Sequence, residues 1–238
     1  MNNTKNTGMN TMRKNLLCAL LTLSTATVLY SCKKDDPQPM EPTAAVSVFN
    51  AVPDAAPLDF YIDDKKVNAE GLAFGNKLNY VEAFLGKKVV KVTTANAGAT
   101  LINKQIDLAQ SAYYSLFLIN QAQTADALMV KDTFLNKNTE KAQVRFINLS
   151  PGAPSYNLEI QGDTTTFNDK AFKAATSFKY VTDKAKVTLL LKDKATGQVL
   201  ATLADVELKK GFVYTIWSKG LAVTTVDAQK ISLKVSAH

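Results

Sequence analysis

The chain has 238 residues, of which 46% are hydrophobic and 21% charged, values typical of a globular protein with one or two domains. The formal charge falls from +7 to +4 beyond Cys32, because Lys5, Arg13 and Lys14 precede that residue without an acid. The remaining lysines are scattered between acids, and Arg145 is the only later arginine. This pattern favours solvated strand faces and excludes a basic nucleic-acid-binding surface.

Cysteine and histidine are too scarce for most of the common catalytic and metal sites. Cys18 lies in an apolar N-terminal run, so a processed chain would keep only Cys32 and could form no intradomain disulfide. The only histidine, His238, ends the sequence, where frayed residues rarely form sites. We therefore expect no Ser-His-Asp triad, no zinc site, no cofactor and no catalytic residue.

The N-terminal segment has the features of a lipoprotein signal peptide. Arg13 and Lys14 precede an apolar run over residues 16–30, which at about fifteen residues is shorter than the roughly 20 that a membrane span needs. The run ends in Ser31 and Cys32, and Leu29-Tyr30-Ser31-Cys32 resembles the bacterial lipoprotein box. Residues 1–31 are thus predicted to be cleaved off between Ser31 and Cys32, with palmitate-type acyl chains on Cys32. An ordinary secretory signal with a chance cysteine is the alternative.

The residues after the cysteine predict a tether and a location. Lys34, Asp35 and Asp36 resemble the surface-export signal of Bacteroidota lipoproteins, with a solvated linker as the alternative. Three prolines follow, so residues 32–43 are expected to be an extended, flexible tether. The predicted location is the outer membrane, facing the cell exterior, and the alternative is its periplasmic face.

A sequence repeat organises the rest of the chain. The stretch 49–62 returns without a gap as 147–160, with Asn50 matching Asn148 and Pro53 matching Pro151. Later segments agree in order and at a nearly constant offset, which indicates duplication of one domain. We predict a first repeat over residues 44–131, a linker over 132–141 and a second repeat over 142–238. Because the linker is short, the two repeats are expected to touch.

Each repeat is predicted to be all-β. Leu58, Phe60 and Ile62 alternate with polar or amphipathic residues, which is the period of a strand with one buried face. Residues 113–119 are apolar at both sets of alternating positions, which predicts a central strand covered on both faces. The predicted strands are 45–50, 58–63, 77–83, 88–94, 101–108, 112–120 and 128–130 in the first repeat, and 143–149, 156–161, 171–180, 186–192, 199–208, 212–219, 221–226 and 231–235 in the second.

The opening of the first repeat resembles a known family. Its pattern of Val46, Val48, Phe49 and Asn50, continued by Pro53-Asp54-Ala55 and Leu58-Asp59-Phe60-Tyr61, is similar to the opening motif of the domain of unknown function family 4397. The resemblance implies two tandem antiparallel immunoglobulin-like β-sandwich domains in a secreted or lipid-anchored bacterial protein. It implies no activity, and the second copy departs from the motif.

The candidate ligand contacts cluster near the start of the first repeat. Tyr61 points away from the predicted core row, so it is a candidate for ligand contact together with Asp54 and Asp59. With Asp63 and Asp64 these acids could also hold a cation. Their spacing matches no calcium loop, however, and Asp54 is well placed to accept backbone N–H groups in a turn. Turn structure is the favoured interpretation, and no metal site is predicted.

Two further pairs recur in both repeats. Phe117 and Trp217 occupy matching mid-strand positions, which favours a shared core row over sugar stacking. Asn50 and Asn148 end a strand, where the side chain can bond to the backbone of the following turn.

These observations favour a non-catalytic, lipid-anchored envelope protein. Its predicted role is a binding or adhesion module whose partner is a glycan or a protein at the cell surface. The alternative is a structural spacer or assembly component of an outer-membrane surface complex, and a cryptic hydrolase is a minor third hypothesis.

Overall fold

The computed structural model describes residues 42–96, 98–152, 154–182 and 184–238. The predicted signal peptide, the lipid-attachment residue Cys32 and the export signal Lys34-Asp35-Asp36 lie outside the described residues. The described residues belong to one compact unit. Apart from two 3-10 turns, Ala122–Thr124 and Asp227–Gln229, the regular structure described in this unit is β-strand, which confirms the predicted fold class.

The first half is a sandwich of two four-stranded sheets. Its strands are β1 (Thr43–Asn50), β2 (Leu58–Ile62), β3 (Lys65–Lys66), β4 (Lys77–Phe84), β5 (Gly86–Thr94), β6 (Thr100–Leu108), β7 (Tyr113–Ile119) and β8 (Asp126–Lys131). The sheets have the orders β4-β1-β7-β8, here the inner sheet, and β3-β2-β5-β6, the outer sheet. Alternate residues of both sheets, such as Val48, Phe60, Val92 and Leu116, are fully buried between them and form the core.

The second half repeats this arrangement strand for strand. Its strands are β9 (Lys141–Asn148), β10 (Tyr156–Ile160), β11 (Thr166–Lys170), β12 (Lys179–Thr182), β13 (Lys184–Asp193), β14 (Val199–Leu208), β15 (Val213–Lys219) and β16 (Ser232–Ala237). The inner sheet has the order β12-β9-β15-β16 and the outer sheet β11-β10-β13-β14. Phe146, Leu158, Leu189 and Ile216 lie in its core.

The two inner sheets are mixed, which differs from the prediction of antiparallel sandwiches, whereas the outer sheets are antiparallel. β1 pairs in parallel with β7, and β9 in parallel with β15, while the other named pairs are antiparallel. A parallel pair needs a long crossover connection. Here the chain supplies it by passing through the whole outer sheet between the two strands.

The inner sheets of the two sandwiches pack against each other. Phe49 and Phe117 from the first inner sheet meet Trp217 from the second, with ring centroids 4.6 Å apart for the two phenylalanines and 6.0 Å apart for Phe49 and Trp217. Ile147 and other fully buried apolar residues complete this third core. The two repeats therefore touch, as expected from the short linker.

This interface also explains the strand pattern of residues 113–119. Leu116 points into the sandwich core and Phe117 into the interface, and both are fully buried. β7 lies between β1 and β8, as predicted for a central strand. Phe117 and Trp217 are buried as expected, but they lie in the core between the sandwiches instead of within either one.

Two strand predictions in the second half are wrong. The stretch 171–180 is not one strand: β11 ends at Lys170 and β12 begins at Lys179. The chain turns between them because Asn148 Nδ2 donates to the Lys170 carbonyl at 2.9 Å and Lys173 has a φ of 71°. Residues 221–226 form no strand either, since only Leu221 makes an isolated bridge, to Lys230.

We predict that Trp217 couples the unfolding of the two sandwiches. Trp217→Ala removes the ring from a fully buried site, which typically costs about 3–5 kcal/mol for a large aromatic residue. Thermal unfolding of residues 42–238, followed by far-UV circular dichroism, should change from one transition to two at lower temperature. Trp217→Phe, which copies the residue at the matching position 117, should keep one transition. A Trp217→Ala midpoint equal to that of the wild type would contradict the coupling.

Candidate functional site

The exposed face of the first outer sheet carries Tyr61. Lys66 on β3 and Lys91 on β5 are its direct cross-strand neighbours. The Lys91 ammonium lies 5.1 Å from the Tyr61 ring centroid, a cation–π distance. The ring is partly exposed, because its strand neighbours Phe60 and Ile62 turn toward the core. Tyr61 thus forms an aromatic platform between two cations.

Asp59 lies on the same face, two residues before Tyr61. Its carboxylate Oδ2 is 2.9 Å from Lys66 Nζ, and the side chain is only 12% exposed. Oδ1 is buried and accepts no hydrogen bond from the described residues. The structure therefore brings together two of the three predicted contact residues, Tyr61 and Asp59, with one acceptor of Asp59 unused.

Asp54 is not part of this face. It lies in the turn before β2, and its Oδ1 accepts the Ala122 N–H at 2.8 Å, which fastens this turn to the 3-10 turn that precedes β8. The proposed backbone-accepting role of Asp54 is confirmed, although the N–H comes from a distant segment and not from its own turn.

The carboxylates of Asp63 and Asp64 form ion pairs with lysines, and that of Asp63 also accepts a backbone hydrogen bond. Both residues have positive φ, 47° and 61°, in the tight turn between β2 and β3. Asp63 accepts the Val89 N–H and pairs with Lys88, and these two contacts lower its pKa. Asp64 lies 2.7 Å from Lys91 Nζ. Within the part of the chain that the structure describes, no three metal-ligating side chains come together.

The two repeated asparagines bond to the turns that follow them, as predicted. Asn50 Oδ1 accepts the Val52 N–H at 2.9 Å, and Asn148 Oδ1 accepts the Ser150 N–H at 3.1 Å. Asn50 Nδ2 also donates to the Leu72 carbonyl at 2.8 Å. Each side chain therefore ties the end of its strand to two separate backbone segments.

A buried ion pair, which the sequence did not indicate, lies at the interface between the sandwiches. Arg145 Nη2 is 2.6 Å from Asp132 Oδ1, and the two side chains are 2% and 0% exposed. Arg145 also donates from Nη2 to Ser115 Oγ at 2.8 Å and from Nε to Thr215 Oγ1 at 2.9 Å. Burial lowers the pKa of Arg145 and Asp132 opposes this shift, so the guanidinium stays charged.

His238 completes this network and is not frayed, contrary to the expectation for a terminal residue. Tyr80 Oη donates its single proton to Asp132 Oδ2 at 2.6 Å. His238 Nδ1 lies 2.7 Å from the same Oη, so Nδ1 carries the proton and donates it. His238 Nε2, 2.7 Å from Thr215 Oγ1, is then the acceptor. The contacts thus assign a neutral imidazole.

The surroundings of His238 disfavour its charged form. Burial lowers its pKa to about 3, and the charges of Arg145 and Lys77 act in the same direction. Phe134 and Phe178 flank the ring, with centroids 5.6 Å and 5.8 Å away. Both ring nitrogens are engaged by Tyr80 and Thr215, so this cluster is a structural joint and not an accessible acid–base pair.

Comparison with known families adds an identification of the first part of the chain. Residues 44–159 match the family model described as Domain of unknown function (DUF4397). This part of the chain is similar to the DUF4397 family. The match runs from β1 into β10, so it covers the first sandwich and the opening of the second. The resemblance of the opening motif is confirmed there. A second copy of the DUF4397 domain stays a prediction, supported by the repeated strand order.

Other comparisons give only distant likeness. No curated protein matches the sequence significantly. Among solved structures, the chain is similar to a family 26 carbohydrate-binding module from Eubacterium rectale in complex with maltoheptaose, at 9% identity, covering 82% of this chain and 96% of that one, with a TM-score of 0.26. It is also similar to the fimbrial anchor protein Mfa2 from Porphyromonas gingivalis, at 9% identity, 82% and 97% coverage and a TM-score of 0.23. At such TM-scores the likeness carries no argument about function.

We predict that stability falls with acid because of His238. Its folded-state pKa of about 3 lies below the ordinary 6.5, so the unfolded chain binds a proton first and stability is lost as pH falls from about 6.5 toward 3. The free energy of unfolding should fall by up to about 1.4 kcal/mol per pH unit over this range. Urea unfolding between pH 6.5 and 4.5 measures this change, and the carboxylates begin to titrate only toward the lower end of that window.

The matched variant for this test is His238→Gln, which cannot titrate in this range. His238 is the only histidine, so the unfolding free energy of the variant should depend less steeply on pH between pH 6.5 and 4.5. Equal slopes for wild type and variant would contradict the assignment.

Proposed function

We propose that this protein is a non-catalytic binding or adhesion module, attached to the outer membrane by lipid on Cys32 and exposed to the cell exterior. The observation that carries the binding role is the face around Tyr61. A partly exposed aromatic ring lies there between Lys66 and Lys91, beside the ion pair of Asp59 with Lys66. An aromatic platform with nearby polar groups suits the apolar face and the hydroxyls of a sugar ring.

The absence of catalysis in this proposal follows from how the reactive side chains are used. The only imidazole, His238, is held between Tyr80 and Thr215 inside the interface. The carboxylates near Tyr61 are paired with lysines: Asp59 with Lys66 and Asp64 with Lys91. General acid–base chemistry needs a group within reach of a substrate proton, and these groups are already engaged.

A second candidate function is a structural spacer within a surface complex. The buried ion pair of Arg145 with Asp132 and the aromatic core around Trp217 favour this alternative, because they hold the two sandwiches as one body. A spacer needs such stiffness, whereas a single binding face does not.

The anchoring proposal rests on the sequence. An apolar run too short to span a membrane, a small residue before Cys32 and a proline-rich stretch after it are together typical of a lipoprotein. In residues 42–238, as far as they are described, no helix is long and apolar enough to cross a bilayer. Each buried methylene contributes roughly 0.8 kcal/mol, so several acyl chains on one cysteine would hold the protein durably.

For the binding role we expect Tyr61→Ala to weaken glycan binding at least about tenfold, because it removes the stacking surface. A glycan array probed with residues 42–238 identifies the ligand, and calorimetry gives its affinity. Phe212→Ala is the matched control, since Phe212 is an exposed aromatic side chain of the second sandwich, directly before β15.

The outcomes of that array separate the two candidate functions. Binding that Tyr61→Ala and Phe212→Ala weaken equally would count against the Tyr61 face. No glycan binding, together with one stoichiometric envelope protein in a pull-down that Tyr61→Ala leaves intact, would favour the spacer.

For the anchor we expect Cys32→Ala to abolish labelling by a clickable fatty acid and to release the protein from membranes. Membrane retention without label would refute lipidation. Protease added to intact cells should digest the wild-type domains if they face outward. Protection in intact cells, with cleavage after lysis, would place them on the periplasmic side instead.

A further inference from the structure

A cleft separates the first sandwich from the last strand of the second. Residues 68–73 and 75–78 line one side, residues 234–237 line the other, and its volume is about 640 Å³. This size falls within the range of about 300–1,000 Å³ that is usual for ligand sites. The cleft lies apart from the Tyr61 face, because none of its lining residues belongs to β2, β3 or β5.

Three lysines converge on this cleft. Lys77 and Lys234 line it from opposite sides. Lys219 lies beneath it: a Cβ added at Gly75 would come within 3.2 Å of Lys219 Cε, and the Lys219 ammonium is 4.2 Å from the ring centroid of Phe74. Among the described residues, no carboxylate lies within ion-pair distance of any of the three.

Two of the three charges, those of Lys77 and Lys219, are partly withdrawn from water, while Lys234 is exposed. Burial lowers the pKa of Lys77 and of Lys219, and the charge of Lys234 lowers the pKa of Lys219 further. Lys77 donates to the Ala237 carbonyl, which leaves the other N–H groups of its ammonium for a further acceptor. An anion in the cleft would relieve both the repulsion and the lost hydration.

The rest of the lining mixes small and apolar residues, such as Leu72 and Val235, with a few polar side chains. Asn76 and Glu70 are exposed there, and both can bond to hydroxyl groups. None of the exposed large apolar side chains of the described residues lines the cleft. The lining therefore suits a hydroxylated, charged ligand better than the surface of a lipid bilayer.

We propose that this cleft binds an acidic saccharide, with a sulfate, phosphate or carboxylate group held by Lys77, Lys219 and Lys234 and with sugar hydroxyls at Asn76 and Glu70. This proposal rests on the proposed glycan-binding role and adds to it a second contact region and a chemical class of ligand. Because the lysines come from both sandwiches, the site exists only when the sandwiches are packed together.

The test is calorimetric titration of residues 42–238 with a sulfated disaccharide, its desulfated counterpart and inorganic sulfate, at low and at moderate salt. We expect the sulfated sugar to bind at least about tenfold more tightly than the desulfated one, and the difference to shrink with salt because ions screen the lysines. The double variant Lys77→Gln/Lys234→Gln should abolish the preference. Lys137→Gln, at an exposed lysine of the linker, should leave it unchanged.

Circular dichroism checks that the double variant folds, and Lys234→Gln alone, at an exposed side chain, provides a milder second test. Equal affinity for the two sugars, or a preference that survives the double variant, would overturn the cleft as an acidic-sugar site. Such a result would leave the Tyr61 face untouched, because Tyr61→Ala tests that face separately. Binding of anionic lipid vesicles with no response to either sugar would also overturn the proposal.

Discussion

The arrangement of the molecule depends on a charged pair enclosed by apolar packing, Arg145 with Asp132. An ion pair with almost no exposure is costly unless further hydrogen bonds offset the lost hydration of both charges. The guanidinium donates to Ser115 and Thr215, and Oδ2 of Asp132 accepts from Tyr80 and Ser115, while Oδ1 faces Arg145. Loss of one partner would leave the other buried and unpaired, so the contact makes one relative placement of the two sandwiches far better than any slipped alternative.

The network also shows how two similar halves became complementary. Asp132 follows β8 and His238 follows β16. The backbone N–H of Asp132 donates to the Tyr113 carbonyl at 2.8 Å, and that of His238 donates to the Val213 carbonyl at 2.9 Å. Equivalent positions in the two repeats therefore carry an acid in one and an imidazole in the other. The inner sheets meet face to face, as in an isologous interface, but the polar contacts across them are asymmetric.

The two proposed ligand regions differ in how far they depend on the contact between the sandwiches. The Tyr61 face belongs to one outer sheet and needs only the first sandwich for its shape. The lysine cleft takes side chains from both sandwiches, so it depends on the Arg145 contact and on the aromatic core around Trp217. Conditions that loosen the interface, such as protonation of His238 in acid, would therefore disrupt the cleft before they disrupt the Tyr61 face.

The sequence by itself determined the β-class, most strands, the repeat and the asparagine-bonded turns, because these follow from local periodicity and from side-chain bonds within a few residues. It also placed Tyr61 and Asp59 on one face, since a strand alternates sides. Only the tertiary structure decided that Asp54 bonds to Ala122 instead of joining them, that Lys77 and Lys234 share a cleft, and that both ring nitrogens of His238 are engaged. These contacts join segments that are far apart in the chain, so the spacing of residues in the sequence does not predict them.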